Sequence, residues 1–423
     1  MPDLPFAAYP GHINLHTLEA LQRNVRDLLV DQIIANLTIQ PSETRPRPEP
    51  GTRDTVFEGT FDEVNSFFYD KGWSEGLPVA PPTEERVARF MKFTDRAADE
   101  VIGVLLPDRR EATPWNIAVN GVMAGCRPQY MPVLIAIVEA LVDPKFAHSH
   151  LGNTPGTEAL ITVNGPIIQE LGFNYEQGAL RVGFQANTSI GRFFRLYLRN
   201  VAGYLPHKTD KATFGGTWRV VLAENEDALA RIGWEPMSVD QGFKAGDNVI
   251  TISSCTSTDS LFSTGETIEG TNKAEAILRK LAARIVDVQL VLFHTNFLGP
   301  SVRPQILLSP CVAEAIAGSG FSKARAKQYL WEHARFAVER YEAFRPVHDS
   351  LCQGVRDGKL PPLYCESADP KRLVPIVFSP DDFMITVSGD PGRDNCFICG
   401  QNGYIGYPVS KKIQTPAKWE QLL

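Results

Sequence analysis

The sequence has no apolar run that approaches the length of a membrane-spanning helix, so no helical span is expected. It lacks a basic excess. Lys and Arg number 42 against 49 Asp and Glu, for a formal net charge of −7. A nucleic-acid-binding face usually needs the opposite balance, so no nucleic-acid partner is expected. The first residues, Met1-Pro-Asp-Leu-Pro-Phe6, contain no basic stretch followed by an apolar one. No secretory signal is therefore expected, and the expected compartment is the cytoplasm. Cysteine is sparse, with seven in 423 residues. In a reducing compartment those thiols are expected to stay mostly unpaired, and so to be structural, metal-binding or reactive. There is no Gly-Lys-Ser/Thr of a phosphate-binding P-loop, and no nucleophile elbow or Ser-His-Asp pattern.

What remains is the composition of a soluble globular chain, 43% hydrophobic and 22% charged, with length for two or three domains. Residues 1–55 read as an N-terminal arm. Leu15, Leu18, Leu21, Val25, Leu28 and Leu29 recur at helical spacing, and a proline-rich charged linker follows from Pro41 to Pro50. Such a helix either docks on its own body or packs on a neighbouring chain, so a homo-oligomer is expected, or else a heteromer. The remainder is read as two α/β lobes, 56–240 and 241–423, with a mixed or largely parallel sheet flanked by helices.

The body's helices announce themselves by their caps. Asp62 can open a short helix to Tyr69, Thr83 a second, and Thr113-Pro114 a third. Met131–Val142 is apolar enough to be a buried helix. Asn187-Thr-Ser-Ile-Gly-Arg192 reads as a helix start that continues to about Val201. Asn272–Arg284 and Ser322–Tyr341 read as further helices. Strands are expected at Ala159–Val163, Trp218–Leu222, Val249–Ile252, Val288–Phe293, from Ile306 to Pro310, Val374–Phe378 and Met384–Val387.

Five constellations could carry chemistry. Cys126 lies between two predicted helices and beside Arg127, where a helix N-terminus and a cation would lower a thiol pKa; a buried apolar cysteine is the alternative. Asn187 and Thr188 at a helix start, with Arg192 and Arg195 on adjacent turns, suit a carboxylate or phosphate. His148-Ser-His150 on an extended segment would point both rings to one face, as a divalent metal site needs; His207 and His294 stand elsewhere. Cys396-Phe-Ile-Cys399, with Cys352 and Cys365 upstream, is a redox pair, part of a Cys₄ zinc site, or a set of structural thiols. Ser253-Ser-Cys255-Thr-Ser-Thr-Asp259 reads as a hydroxyl-rich loop after a strand, where α/β sheets often place a ligand crevice.

Several of these stretches resemble one family. Gly72-Trp-Ser-Glu-Gly-Leu-Pro-Val-Ala-Pro-Pro-Thr83, Met123-Ala-Gly-Cys-Arg-Pro128, Val163-Asn-Gly-Pro-Ile167, Asn187–Arg192 and the region Ile306–Arg335 are similar to bacterial UGSC-like (seleno)proteins. The resemblance runs from about Phe61 to the end. Those proteins are distantly similar to the B subunit of glycine reductase, whose selenolate attacks a substrate carbon. The resemblance implies an enzyme and places Cys126, Arg127, Asn164, Asn187 and Arg192 inside matching motifs. This chain departs from the name-giving Cys-Gly-Ser-Cys motif, for which Ser254-Cys255-Thr-Ser257 is the nearest candidate, so the reactive pair does not carry over.

Three functions follow as expectations. The first is a cytoplasmic enzyme on a small carboxylate- or phosphate-bearing substrate. A thiolate from Cys126, Cys255, Cys396 or Cys399 would do the chemistry, Arg192 and Arg195 would bind the anion, and His148 or His150 would move a proton. The second is a metal-dependent hydrolase or lyase built on His148 and His150. The third is a non-catalytic subunit of a larger assembly.

Overall fold

A computed structural model describes residues 6–39, 50–216, 220–262, 272–293, 301–343 and 350–423. Residues up to Val56 form one compact unit and Phe57–Leu423 another. In the first unit, Thr17 caps a helical segment that runs from Leu18 to Thr38 with a wider π-wound turn at Val25–Leu29. None of its residues is buried, and Leu15, Leu18, Leu28, Ile34 and Leu37 are exposed. The linker expected from Pro41 lies outside the described residues up to 49, as does His294.

The second unit is α/β with mixed sheets. Its first four-stranded sheet uses β1 (Glu158–Asn164), β2 (Leu222–Ala223), β3 (Val249–Cys255) and β8 (Val409–Lys412), in the order β8-β3-β1-β2. Strand β2 runs parallel to β1, and the other pairs are antiparallel. The second sheet uses β4 (Ser257–Phe262), β5 (Gln305–Leu308), β6 (Met384–Val387) and β7 (Asn395–Gly400), in the order β6-β5-β7-β4, with only β6 and β5 parallel. The first sheet thus joins strands that lie far apart in sequence on both sides of residue 240.

Strand alternation stacks the layers. Ala159, Ile161 and Val163 pack into a core with the helices α1 (Pro114–Met123), α2 (Met131–Leu141) and α3 (Gln185–Tyr197). The alternate residue Leu160 meets Leu222, Cys255, Leu307 and Cys399 between the two sheets. On the far side, Ile306 and Leu308 pack into a core with α4 (Lys273–Gln289), α5 (Pro310–Gly318) and α6 (Lys323–His333). The order is helices, sheet, sheet, helices.

Most caps fall where the sequence places them. Thr83, Thr113 and Ser322 each accept a hydrogen bond from a first-turn amide, and Pro114 opens α1. The first body helix, Phe61–Asp70, is capped by Thr60 rather than Asp62, because Thr60 and Glu63 form a reciprocal capping box.

Other expectations fail for identifiable reasons. Val288–Phe293 is not a strand. Leu278, Leu281, Ile285 and Val288 continue one buried helical face, so α4 runs on to Gln289 and ends in a 3₁₀ turn at Leu290–Leu292. The helix from Ser322 stops at His333, because Arg335–Ala337 pairs as a short strand with Leu373–Pro375. Ser253–Asp259 is not a loop. It belongs to β3 and β4, and the chain crosses from one sheet to the other at Thr256, whose N–H donates to the Gly400 carbonyl at 3.0 Å. Of Trp218–Leu222, only Leu222 lies in a described strand, and 217–219 are outside the described residues.

Candidate anion-binding cleft

Helix α3 starts at Gln185 after Phe184, two residues earlier than its sequence suggests. Its polar opening residues are therefore consumed by the fold. The Asn187 amide donates to the Asn174 and Val221 carbonyls and accepts from Asn174 N, each at 2.9 Å. Thr188 Oγ1 accepts from Gly183 N at 3.1 Å. The other side of the same helix carries Arg192, Arg195 and, in the π-wound turn that follows, Arg199. Spacings of three and four put these cations in one row, while Ile190, Phe193, Phe194 and Tyr197 bury the opposite face.

The row lines a cleft of about 560 Å³, together with Glu75, Tyr204, His207, Asp210, Lys211 and Phe214. One wall is the Gly72–Pro78 loop. Arg192 pairs with Glu75 and donates to the Pro78 carbonyl at 2.8 Å, and Arg199 Nε donates to the Gly72 carbonyl at 2.5 Å. Asn200 adds a bond to the Trp73 carbonyl at 3.1 Å. The other wall, 204–216, is held by Lys211 N to the Gly152 carbonyl at 2.8 Å and Thr213 N to the Thr154 carbonyl at 3.0 Å. Close approach demands glycine here. A Cβ on Gly156 would sit 2.7 Å from the Gly215 Cα.

The cleft holds four cationic side chains against two carboxylates. Arg195 is balanced from below by the buried Glu158 at 3.0 Å and laterally by Asp210 at 3.5 Å. Arg192 is committed to the 75–78 loop. Lys211 has no ion pair among the described residues, and Arg199 has its terminal nitrogens beyond the single Nε bond. Burial, and secondarily the neighbouring Arg195, depress the Arg199 pKa from its ordinary value, with Glu75 opposing. One buried oxygen of Glu75 has no hydrogen-bond partner among the described residues. His207 holds a left-handed backbone at φ +67°, which non-glycine residues adopt uncommonly.

Cys126 stands behind this wall rather than in the cleft. Its surroundings include Ser189 and Arg192, both of which favour the thiolate, but burial dominates and pushes its pKa up to about 12. The neighbouring Arg127 turns outward to Gln185 Oε1 at 2.7 Å. The other thiols are scattered. Strand alternation sends Cys396 to the helix side of β7 and Cys399 toward the opposite sheet, where it meets Cys255. Burial raises the Cys396 pKa; the hydrogen bond with Cys255 and then burial raise that of Cys399. Cys352 and Cys365 are joined as a disulfide, which departs from the expectation of reduced thiols and from a Cys₄ site.

Thiol chemistry gives a direct check. Brief iodoacetamide treatment at neutral pH is expected to modify Cys311 first, since it alone of the free cysteines is partly exposed. Denaturation without reductant should expose five thiols, and reduction seven. Fast labelling of Cys126 in the native protein would contradict this picture.

The histidine pair is not on an extended segment. His148 and His150 lie in a 3₁₀ turn and face different partners. His148 is buried and accepts from Leu106 N at 3.1 Å, and Tyr204 Oη donates to the His148 carbonyl at 2.7 Å. His150 is exposed, with Nδ1 2.6 Å from the Tyr404 carbonyl. Among the described residues no group of three or more His, Cys, Asp or Glu is placed to hold a metal ion. Burial lowers the His148 pKa below 6.5, outweighing its bond to the Leu141 backbone. The unfolded chain therefore binds this proton more readily than the folded one. The stability that neutral His148 contributes is present above pH 6.5 and is lost as pH falls below that value toward the folded pKa. Melting temperature should fall over that window, and His148→Gln should flatten the fall. An unchanged slope in the variant would exclude His148 as its source.

Asn164 also serves the fold. It is fully buried and its amide donates to Glu224 at 2.6 Å and Glu226 at 3.0 Å. Of the residues that sequence reasoning singled out, Arg192 and Arg195 come together in the cleft, and Cys126 lies one layer behind them. Arg199, Lys211, Tyr204, Glu75 and Phe214 were missed. Arg199 was legible as the next member of the Arg192–Arg195 row; the others arrive from loops whose path the sequence does not encode locally. No protein-family model, curated protein or solved structure matches this chain.

Proposed function

We propose that this chain is an enzyme that holds a small carboxylate- or phosphate-bearing molecule in the cleft beside α3. The observation that carries the reading is the row Arg192, Arg195 and Arg199 on one helix face, together with Lys211, which has no carboxylate matched to it among the described residues. Lys211 and the terminal nitrogens of Arg199 are the donors for the anion. Arg192 and Arg195 fix the walls and supply positive potential. His207 lines the same cleft and is assigned the proton-transfer role there. A left-handed residue at such a place fits backbone strain held at a working site. The Cys126 thiol, protonated at neutral pH, is assigned to support of the Arg192 wall rather than to attack on a substrate. The resemblance to UGSC-like proteins agrees with enzyme status and with a role for the 72–83, 123–128 and 187–192 segments, which pack against one another.

Calorimetric titration of inorganic phosphate and of acetate into the full chain tests the reading. Binding is expected for at least one, weakening as salt rises. The double variant Arg199→Ala/Lys211→Ala should lose it by roughly a hundredfold or more, since each charge-assisted contact contributes about 1.5–3 kcal/mol. Undiminished binding in the double variant would remove the site.

The exposed apolar residues of the Leu18–Thr38 segment favour a second, compatible reading, in which that helix packs against another copy of the chain.

A further inference from the structure

The volume of the cleft is much larger than a lone oxyanion needs, and lies in the range of sites that enclose whole organic molecules. At its mouth stands Phe214, 99% exposed. A phenyl ring wholly in water contributes nothing to the fold. It is nevertheless held in place from both sides. Thr213 N is hydrogen-bonded to the Thr154 carbonyl, and Gly215, in a left-handed turn at φ +73°, packs its backbone directly against Gly156. The ring is thus presented by an anchored backbone on the same cleft that the arginines and Lys211 line.

We infer that the ligand of this cleft carries a flat ring as well as its anionic group, and that Phe214 is the platform on which that ring stacks. The inference rests on the anion-binding reading above and narrows it to aryl or heterocyclic acids and phosphates. The anion sits toward Arg199 and Lys211, and the ring covers the Phe214 face, removing two apolar surfaces from water at once. Aryl carboxylates and ring-bearing phosphates share this chemistry, and the choice of anion is left to the cationic wall.

The test compares inorganic phosphate with phenyl phosphate, and acetate with benzoate, by calorimetry on the full chain and on Phe214→Ala and Phe214→Tyr. In the unmodified protein the ring-bearing member of a pair should bind about tenfold tighter, the lower range of measured stacking on aromatic side chains. Phe214→Ala should erase that advantage while leaving inorganic phosphate and the melting temperature unchanged, and Phe214→Tyr should restore it. Equal binding of both members to the unmodified protein, or an advantage that survives in Phe214→Ala, would overturn the inference while leaving the anion site standing. Failure of every ligand to bind would overturn both.

Discussion

Glu224→Ala is expected to destabilise the body of this protein more than any other single change named here. Glu224 follows β2 directly and is buried between the two sheets. Its carboxylate accepts from Met237 N at 2.7 Å, from Val387 N at 3.1 Å at the end of β6, and from the Asn164 amide at 2.6 Å. One side chain thus ties the first sheet to the second. Burial raises its pKa, while the nearby Lys323 and these donors pull the other way. Removing it strands three buried donors, each worth about 1–3 kcal/mol when unpartnered, for a total of roughly 5 kcal/mol. That is comparable with the net stability of an ordinary domain. The melting temperature should drop by several degrees to roughly 10 °C. Glu224→Gln keeps one acceptor and should cost less. A melting temperature for Glu224→Ala equal to that of the unmodified chain would show that this tie does not hold the sheets together.

The second large effect is at Arg195. It pairs with Glu158, of which only 4% of the side chain is exposed, and with Asp210 on the 204–216 wall of the cleft. Arg195→Met keeps the apolar stem but takes the cation away from a buried carboxylate, which should cost about 3 kcal/mol. Adding Glu158→Gln should recover part of that loss, because the charge left behind is then neutral. The single variant should also weaken anion binding, since Asp210 loses its anchor. A double variant no more stable than the single one would show that the cost lies in packing rather than in the buried charge.

The contrast between Thr113-Pro114 and Val288–Phe293 shows how far the sequence could be read. A cap is a local contract between a side chain and the next turn, so Thr83, Thr113 and Ser322 were legible as helix starts. A short, mostly apolar run such as Val288–Phe293 satisfies a strand and a buried helix equally, and tertiary packing decides for the end of α4 and a 3₁₀ turn. Ser253–Asp259 reads as a loop because its hydroxyls are polar; in the fold Ser253 and Ser254 are buried in β3, and at the crossing between sheets the Thr157 and Thr256 hydroxyls bond each other at 2.6 Å. The candidate site shows the same division. Arg192 and Arg195 were visible as a pair at helical spacing. Lys211 and Phe214 reach them through a loop fixed by Gly152, Thr154 and Gly156, contacts with no signature near residue 211. The helix-start residues Asn187 and Thr188 misled for a simple reason. A polar side chain at a helix start can serve a ligand or the backbone around it, and here it serves the backbone.

Anomalous diffraction from crystals of the full chain soaked in tungstate, an oxyanion with a strong signal, tests the central claim most directly. A tungsten peak within hydrogen-bonding reach of Arg199 and Lys211, absent from crystals of the Arg199→Ala/Lys211→Ala variant, is the predicted result. Tungstate bound only elsewhere, with the cleft beside α3 empty, would contradict it.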